Sequence, residues 1–245
     1  MTYVKICGIA SPEEARSAAE LGADLLGLVF HPGSRRCLTV ERARAVAEAL
    51  GGPRRWSPVS FEDLSHLVSP AAWFQGCARA LEALLERRRP LLVGVFVNSP
   101  AAEVDAIAEA CGLDLVQLSG DEDWEYCRSL SWPAIKALRL GPEAPAQALT
   151  ETIPAGAAPL LLLDSHVPGL YGGTGVPLDW RVAGELARRF PIMLAGGLNP
   201  ENVAQAVRQV RPWAVDVSSG GESEGRKDMA KIRAFVREAK LALVG

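Results

Sequence analysis

Two side chains of this 245-residue chain could exchange protons with a substrate. Cys7 closes the apolar run Val4-Lys5-Ile6-Cys7, and Gly8 follows it to turn the chain. As a thiolate it would be a base, which requires its pKa to fall from an ordinary value of about 8.5. A lone cysteine is otherwise a small buried hydrophobe. Asp164 closes a run of leucines, Leu160-Leu161-Leu162-Leu163. Apolar surroundings raise the pKa of a carboxyl and suit it to act as an acid; its other reading is a loop cap. Arg35 and Arg36 follow His31-Pro32-Gly33-Ser34. A guanidinium binds a carboxylate or a phosphate through two parallel hydrogen bonds, unless these are solvated loop charges. Gly196 and Gly197, and further on Ser219 and Gly220, stand in stretches of small residues that let backbone N–H groups approach an anion. A thiol, a carboxylic acid, an arginine and an anion cradle suit proton shuffling on a sugar phosphate, which is isomerase chemistry.

Short apolar runs must hold these residues. They lie at 4–7, 25–30, 91–97, 113–118, 134–138, 160–164, 192–195 and 214–218. Each has strand length, and most are near-continuous, as parallel strands covered on both faces are. Amphipathic segments separate them, opened by Ser11-Pro12, Ser99-Pro100 and Asn199-Pro200 and closed by Gly22, Gly51 and Gly112. Eight strand-then-helix units in one chain predict a (β/α)8 TIM barrel, a single α/β domain over 1–245, in preference to an open doubly wound sheet. In such a barrel chemistry sits at the carboxyl ends of the strands, and loops seven and eight commonly hold phosphate. Cys7, Asp164 and both small-residue stretches occupy those positions. The glycine-rich stretch 169–175 reads as a mobile lid.

The segment at about 51–90 breaks the rhythm. It is predicted to be an inserted helical segment between the second helix and the third strand, on the face opposite the site. It reads as a decorative helix packed on the outside, or as a surface for an oligomer or partner.

Composition narrows the function further. Hydrophobic residues make up 49% and charged residues 22%, which excludes disorder. The net charge of −3 and the lack of a basic stripe argue against nucleic-acid binding. No apolar run has the roughly 20 residues of a membrane helix, and the N-terminus does not read as a signal peptide. The expected compartment is the cytoplasm. The 5 cysteines and 3 histidines are scattered, so neither a metal nor a disulfide framework is expected. No dinucleotide fingerprint occurs, and no cofactor is expected.

Specific motifs carry a resemblance. Lys5-Ile6-Cys7-Gly8-Ile9, Gly94-Val95-Phe96-Val97-Asn98, Val116-Gln117-Leu118, the Asp164 strand end, Tyr171-Gly172-Gly173-Thr174-Gly175, Gly196-Gly197-Leu198-Asn199-Pro200-Glu201-Asn202-Val203 and Val215-Asp216-Val217-Ser218-Ser219-Gly220 closely resemble phosphoribosylanthranilate isomerase. The resemblance covers nearly the whole chain except about 51–90. It implies an Amadori rearrangement in tryptophan biosynthesis, from N-(5-phosphoribosyl)anthranilate to 1-(2-carboxyphenylamino)-1-deoxyribulose 5-phosphate, without a cofactor. It implies Asp164 as general acid, Cys7 as general base, Arg36 on the anthranilate carboxylate, and Gly196, Gly197, Ser219 and Gly220 on the phosphate. The family's fourth strand usually ends Q-L-H-G, whereas here Gln117-Leu118 is followed by Ser119-Gly120.

Two other readings stand beside this one. A related sugar-phosphate isomerase would place carboxylates at the ends of the first and fifth strands, where this chain has Cys7 and Leu138-Arg139. A barrel kept as a phosphate-metabolite sensor would have no reason to retain Cys7 and Asp164. The phosphorylated substrate is the expected partner, with no membrane or nucleic acid, and the chain is expected to be a monomer or homodimer. Asp216 is counted among the substrate-binding residues. Lys5 shares the Cys7 face of the first strand, which neighbours the eighth on closure. A buried ammonium needs a partner, so Lys5 and Asp216 are expected to pair beneath the substrate and favour the thiolate. Otherwise Lys5 threads outward and Asp216 contacts substrate alone.

Overall fold

The fold is given by a computed structural model that describes residues 2–52, 61–140, 146–165 and 178–243. Eight parallel strands form a closed barrel in chain order. They are β1 (Tyr3–Cys7), β2 (Leu25–Val29), β3 (Leu91–Phe96), β4 (Leu115–Leu118), β5 (Ala134–Leu140), β6 (Leu160–Ser165), β7 (Ile192–Leu194) and β8 (Ala214–Val217). The ring closes through β1 on β8, with Lys5 opposite Asp216 and Tyr3 opposite Ala214. Around it lie α1 (Pro12–Glu20), α2 (Val40–Ala49), α3 (Pro70–Arg87), α4 (Ala101–Cys111), α5 (Trp124–Ser129), α6 (Ala146–Thr152), α7 (Trp180–Ala187), α8 (Val203–Val210) and α9 (Met229–Leu241). A hairpin of two short strands, β9 (Glu222–Ser223) and β10 (Arg226–Lys227), follows β8. All eight expected strands are present, and the fold is a (β/α)8 barrel.

The near-continuous apolar runs have a direct cause in this architecture. Alternate residues face opposite sides of a strand, and both sides are buried. Val4, Ile6, Leu26, Leu28, Leu161, Leu163, Val215 and Val217 pack outward against the helices. Leu25, Leu91, Val93, Leu115, Ile135, Leu160, Leu162, Met193 and Ala214 fill the interior. Higher in the interior the side chains turn polar: Lys5, Asp216 and Gln117 are all buried. The helix signals act as their chemistry requires. Ser11 accepts from the Glu14 N–H ahead of Pro12. Gly22, Gly51 and Gly112 take positive φ at helix ends. At α4, by contrast, Pro100 is the N-cap and Ser99 makes no cap. At α8, Asn199 Oδ1 receives the N–H groups of Glu201 and Asn202 one turn before the helix proper.

Within the stretch between α2 and β3, α3 lies on the amino-terminal face, but it is not a decoration on the outside. Trp73, Phe74, Cys77, Ala78, Leu81 and Leu85 form one buried stripe. Leu81 and Leu85 join the interior cluster of the barrel itself. The Trp73 indole donates to the Ala158 carbonyl just before β6 at 2.9 Å. Phe74 meets Phe190, just before β7, edge to face at 5.4 Å. Trp213, just before β8, donates to Glu82 at 3.0 Å. The helix therefore crosses the open amino-terminal mouth and closes its floor. Truncating the fully buried Leu81 to alanine leaves a cavity in that floor, at a typical cost of about 2–5 kcal/mol. Urea unfolding of Leu81→Ala should show a loss in this range while turnover of the folded variant stays near native, because the opposite mouth is untouched.

Candidate active site

The carboxyl-terminal mouth gathers the expected residues. Asp164, Gly196, Gly197, Asp216, Ser219 and Gly220 line one small cleft. They reach it from three strand ends: Asp164 within the last residues of β6, Gly196 and Gly197 after β7, and Asp216, Ser219 and Gly220 on or after β8. Gly196 and Gly197 take φ of +82° and +65°, which turns the chain sharply at the cleft. Gly220 packs on the Leu198 carbonyl so closely that a Cβ would collide with it. The two small-residue loops thus touch, and no larger residue at 220 would let them. The stretch 169–175, read as a lid, lies outside the described residues.

Cys7 stands on the β1 side of the same mouth, packed with Val29 and Val95 at the top of the interior. Its register partner is Gly27. A Cβ on Gly27 would sit 2.9 Å from the Cys7 Sγ and 3.1 Å from the Lys5 Nζ. Glycine at this position is what leaves room for the thiol and the ammonium together. Lys5 is fully buried, and its Nζ lies 3.0 Å from the Asp216 Oδ1. The expected ion pair is therefore present, and Asp216 both holds Lys5 and lines the cleft. Burial works against the Lys5 charge, but the Asp216 carboxylate and then Cys7 outweigh it and hold its pKa above the ordinary ammonium value.

The two proton-transfer candidates are tuned in the same direction. Burial pushes the Asp164 carboxyl up to about 6, as its leucine strand implied. The Ser165 N–H, at 2.8 Å from Oδ1, and Lys5 only partly oppose this. Burial also raises the Cys7 thiol, although Lys5 and Lys227 both pull it down. The expectation that the Cys7 pKa falls is thus corrected, whereas the expected pull of Lys5 toward the thiolate is present. Losing water outweighs that pull.

Arg36 lies beside Cys7, its Cδ against Gly8. Its fork is already engaged: Nε and Nη2 donate to the two oxygens of Glu222 at 2.6 and 2.8 Å. Sequence reasoning missed Glu222 and Lys227. Both are buried, and the Lys227 Nζ donates to Glu222 at 3.0 Å and to the Ser218 carbonyl at 3.1 Å. The available signal was Glu222-Ser223-Glu224-Gly225-Arg226-Lys227, where a Glu-Gly turn in a hairpin places its first and last residues face to face. Ser119, in place of the family's histidine, takes a hydrogen bond from the Gln117 amide at 3.0 Å. Arg139 sits opposite Asp164 in register and pairs with Asp121. Among the described residues, no group of His, Cys, Asp or Glu is arranged to hold a metal ion.

This mouth is that of a barrel seen before. A family model described as N-(5'phosphoribosyl)anthranilate (PRA) isomerase matches residues 64–238. Helix α3, which the motif pattern set apart, falls inside the matched stretch. An N-(5'-phosphoribosyl)anthranilate isomerase of Roseiflexus castenholzii is 46% identical over 240 residues, covering 98% of this chain and 98% of that one. The crystal structure of phosphoribosyl anthranilate isomerase from Thermotoga maritima superposes with a TM-score of 0.73 at 33% identity, covering 98% of this chain and 99% of that one. A structure of such an isomerase in complex with reduced 1-(o-carboxyphenylamino)-1-deoxyribulose 5-phosphate matches with a TM-score of 0.69 at 32% identity, covering 98% of this chain and 99% of that one.

Two stability measurements probe the polar interior. Removing one partner of a buried ion pair strands the other charge and costs about 3–5 kcal/mol. Lys5→Met should lose stability on that scale, and Lys5→Met/Asp216→Leu should recover most of it; a single variant within 1 kcal/mol of the native chain would refute the pairing. Asp164 gives a pH-dependent effect. Its folded pKa of about 6 exceeds an unfolded value of about 3.9. Ionising it in the folded state is therefore unfavourable, and stability falls as pH rises from about 4 through 6. Asp164→Asn should be the more stable chain at pH 8, by roughly 1–3 kcal/mol, and the gain should vanish at pH 4.

Proposed function

This chain belongs to the N-(5'-phosphoribosyl)anthranilate isomerase family, and on that premise we propose that Asp164 and Cys7 carry the proton transfers of its reaction. The activity is the isomerisation of N-(5'-phosphoribosyl)anthranilate in tryptophan biosynthesis. The observation that supports the assignment of residues is that Asp216 lines the cleft with Asp164 and, through Lys5, stands beside Cys7. A raised carboxyl, two touching small-residue loops and Asp216 line one space, with Cys7 beside the Lys5 of the same ion pair.

The phosphate of the substrate lies on the loops of Gly196, Gly197, Ser219 and Gly220, whose backbone N–H groups can converge on an anion. The anthranilate carboxylate lies on Arg36. Between these anchors the furanose ring is brought to Asp164. The neutral carboxyl gives its proton to the ring oxygen. The C1'–O bond breaks, and the anilino nitrogen lone pair forms a C1'=N iminium. The Cys7 thiolate then removes the C2' proton, and the freed electron pair flows to the iminium to give an enolamine. The C2' hydroxyl loses its proton, C1' gains one, and the product is the ketone. No redox partner is needed, because C1' is reduced as C2' is oxidised within one molecule. Among the described residues no helix is long and apolar enough to cross a membrane. We place the enzyme in the cytoplasm with the other steps of amino-acid synthesis, as a monomer or homodimer.

General acids and bases each contribute typically 10²–10⁴-fold. In a fluorescence assay of phosphoribosylanthranilate turnover, Cys7→Ser and Asp164→Asn should each lose nearly all kcat while still binding the product analogue. Near-native turnover in either variant would sink the assignment.

A further inference from the structure

The charged cluster beside Cys7 is larger than carboxylate binding requires. Glu222 and Lys227 are register partners in the β9–β10 hairpin, whose turn is closed by Glu224 and Gly225 at φ of 51° and 80°. Their side chains are only 4% and 2% exposed. Three cations converge on the one Glu222 carboxylate: Arg36, Lys227 and the more exposed Arg35. The hairpin is tied down on both sides. Lys227 donates to the Ser218 carbonyl, and the Lys231 Nζ donates to the Glu222 carbonyl at 2.8 Å.

The pairing of Arg36 is side-on, through Nε and Nη2. A guanidinium has five N–H donors in a rigid plane. The side-on pair uses one inner edge and leaves the outer edge, Nη1 with the second hydrogen of Nη2. The Arg36 guanidinium makes no other hydrogen bond among the described residues. A second carboxylate can take that outer edge without displacing the first. One carboxylate against three cations also leaves the cluster net positive, so it fixes the arginine without cancelling its attraction for an anion.

We propose that Glu222 is a positioning residue for substrate recognition: it mounts the Arg36 plane from the side so that the outer edge receives the substrate's aromatic carboxylate. This rests on the reading above that Arg36 binds that carboxylate. Lys227 holds Glu222 in place and, through Ser218, couples the mount to the loop that takes the phosphate.

The test compares two substrates, N-(5'-phosphoribosyl)anthranilate and the analogue made with aniline, which lacks the carboxylate. Glu222→Gln removes the charge and one acceptor from the mount. It should lower kcat/KM for the natural substrate about 10–100-fold, mainly through KM, and leave the analogue within about twofold. An equal loss on both substrates would make Glu222 a general prop of the loop and overturn the proposal. Arg36→Met, run in parallel, separates the two claims. An equal loss on both substrates in that variant removes Arg36 from carboxylate recognition. A selective loss there with none in Glu222→Gln leaves Arg36 standing and rejects Glu222. If Glu222→Gln does not fold, the native enzyme still decides. The slowly exchanging Arg36 Nε–H signal should persist when a carboxylate-bearing product analogue binds; its loss on binding means that the ligand displaces Glu222 and rejects the mount.

Discussion

The Lys5–Asp216 pair sits where the barrel closes, and the rest of the site depends on it. Parallel closure sets Lys5 opposite Asp216 across the seam of β1 and β8. An ammonium with no exposed surface is tolerable only with a carboxylate at hydrogen-bond distance. That pair divides the interior: below it the filling is apolar down to the floor made by α3, and at and above it stand Cys7, Gln117 and Asp164. Gly27 follows from the same constraint. A thiol and an ammonium stacked on β1 need the neighbouring strand to give up its side chain. The polar upper layer would otherwise be a cluster of stranded buried groups. It is held because the buried ammonium and its carboxylate are fixed opposite each other on neighbouring strands.

Much of this was readable in the residues, for identifiable reasons. Strands buried on both faces are apolar at most positions, so eight short runs were visible without any alternation to decode. The closure partner of Lys5 followed from two-residue periodicity and the neighbourhood of the first and eighth strands. The leucines before Asp164 announced its desolvation. What failed to show was a matter of context. The apolar stripe of α3 reads the same whether it lies on the barrel's side or under its floor. Only the contacts of Trp73, Phe74 and Leu81 distinguish the two. The charge beside Cys7 was visible, but its burial was not, and burial decided the direction of its pKa. Glu222 and Lys227 were hidden because their strands are two residues long, below the length at which periodicity speaks.

The Arg36 environment shows why one guanidinium can be both a structural and a recognition group. Its inner edge is closed by Glu222, while its outer edge keeps the planar two-donor geometry that fits a carboxylate. A lysine could not do both, since an ammonium is a point charge without edges. The same hairpin that carries Glu222 contacts the Ser218 carbonyl through Lys227. On the proposed assignment, the hairpin after β8 therefore ties the group that takes the carboxylate to the loop that takes the phosphate.

The tuning of the acid and base has its own consequence. Burial raises both the Asp164 carboxyl, to about 6, and the Cys7 thiol, so it favours the acid form of one group and disfavours the base form of the other. The proposed reaction needs a neutral Asp164 and a thiolate Cys7. The reactive form is reached by moving one proton within the pair, so its share does not change with pH between the two pKa values. The share depends on how far apart those values lie. Lys5 acts on both ends of that gap: its charge draws the thiol down and also opposes the rise of Asp164. Asp216 offsets this by raising both groups. The closure pair therefore acts on the protonation of both groups as well as on the geometry. A barrel that kept the same acid and base but replaced the seam with apolar residues would hold them in place and leave their protons tuned differently.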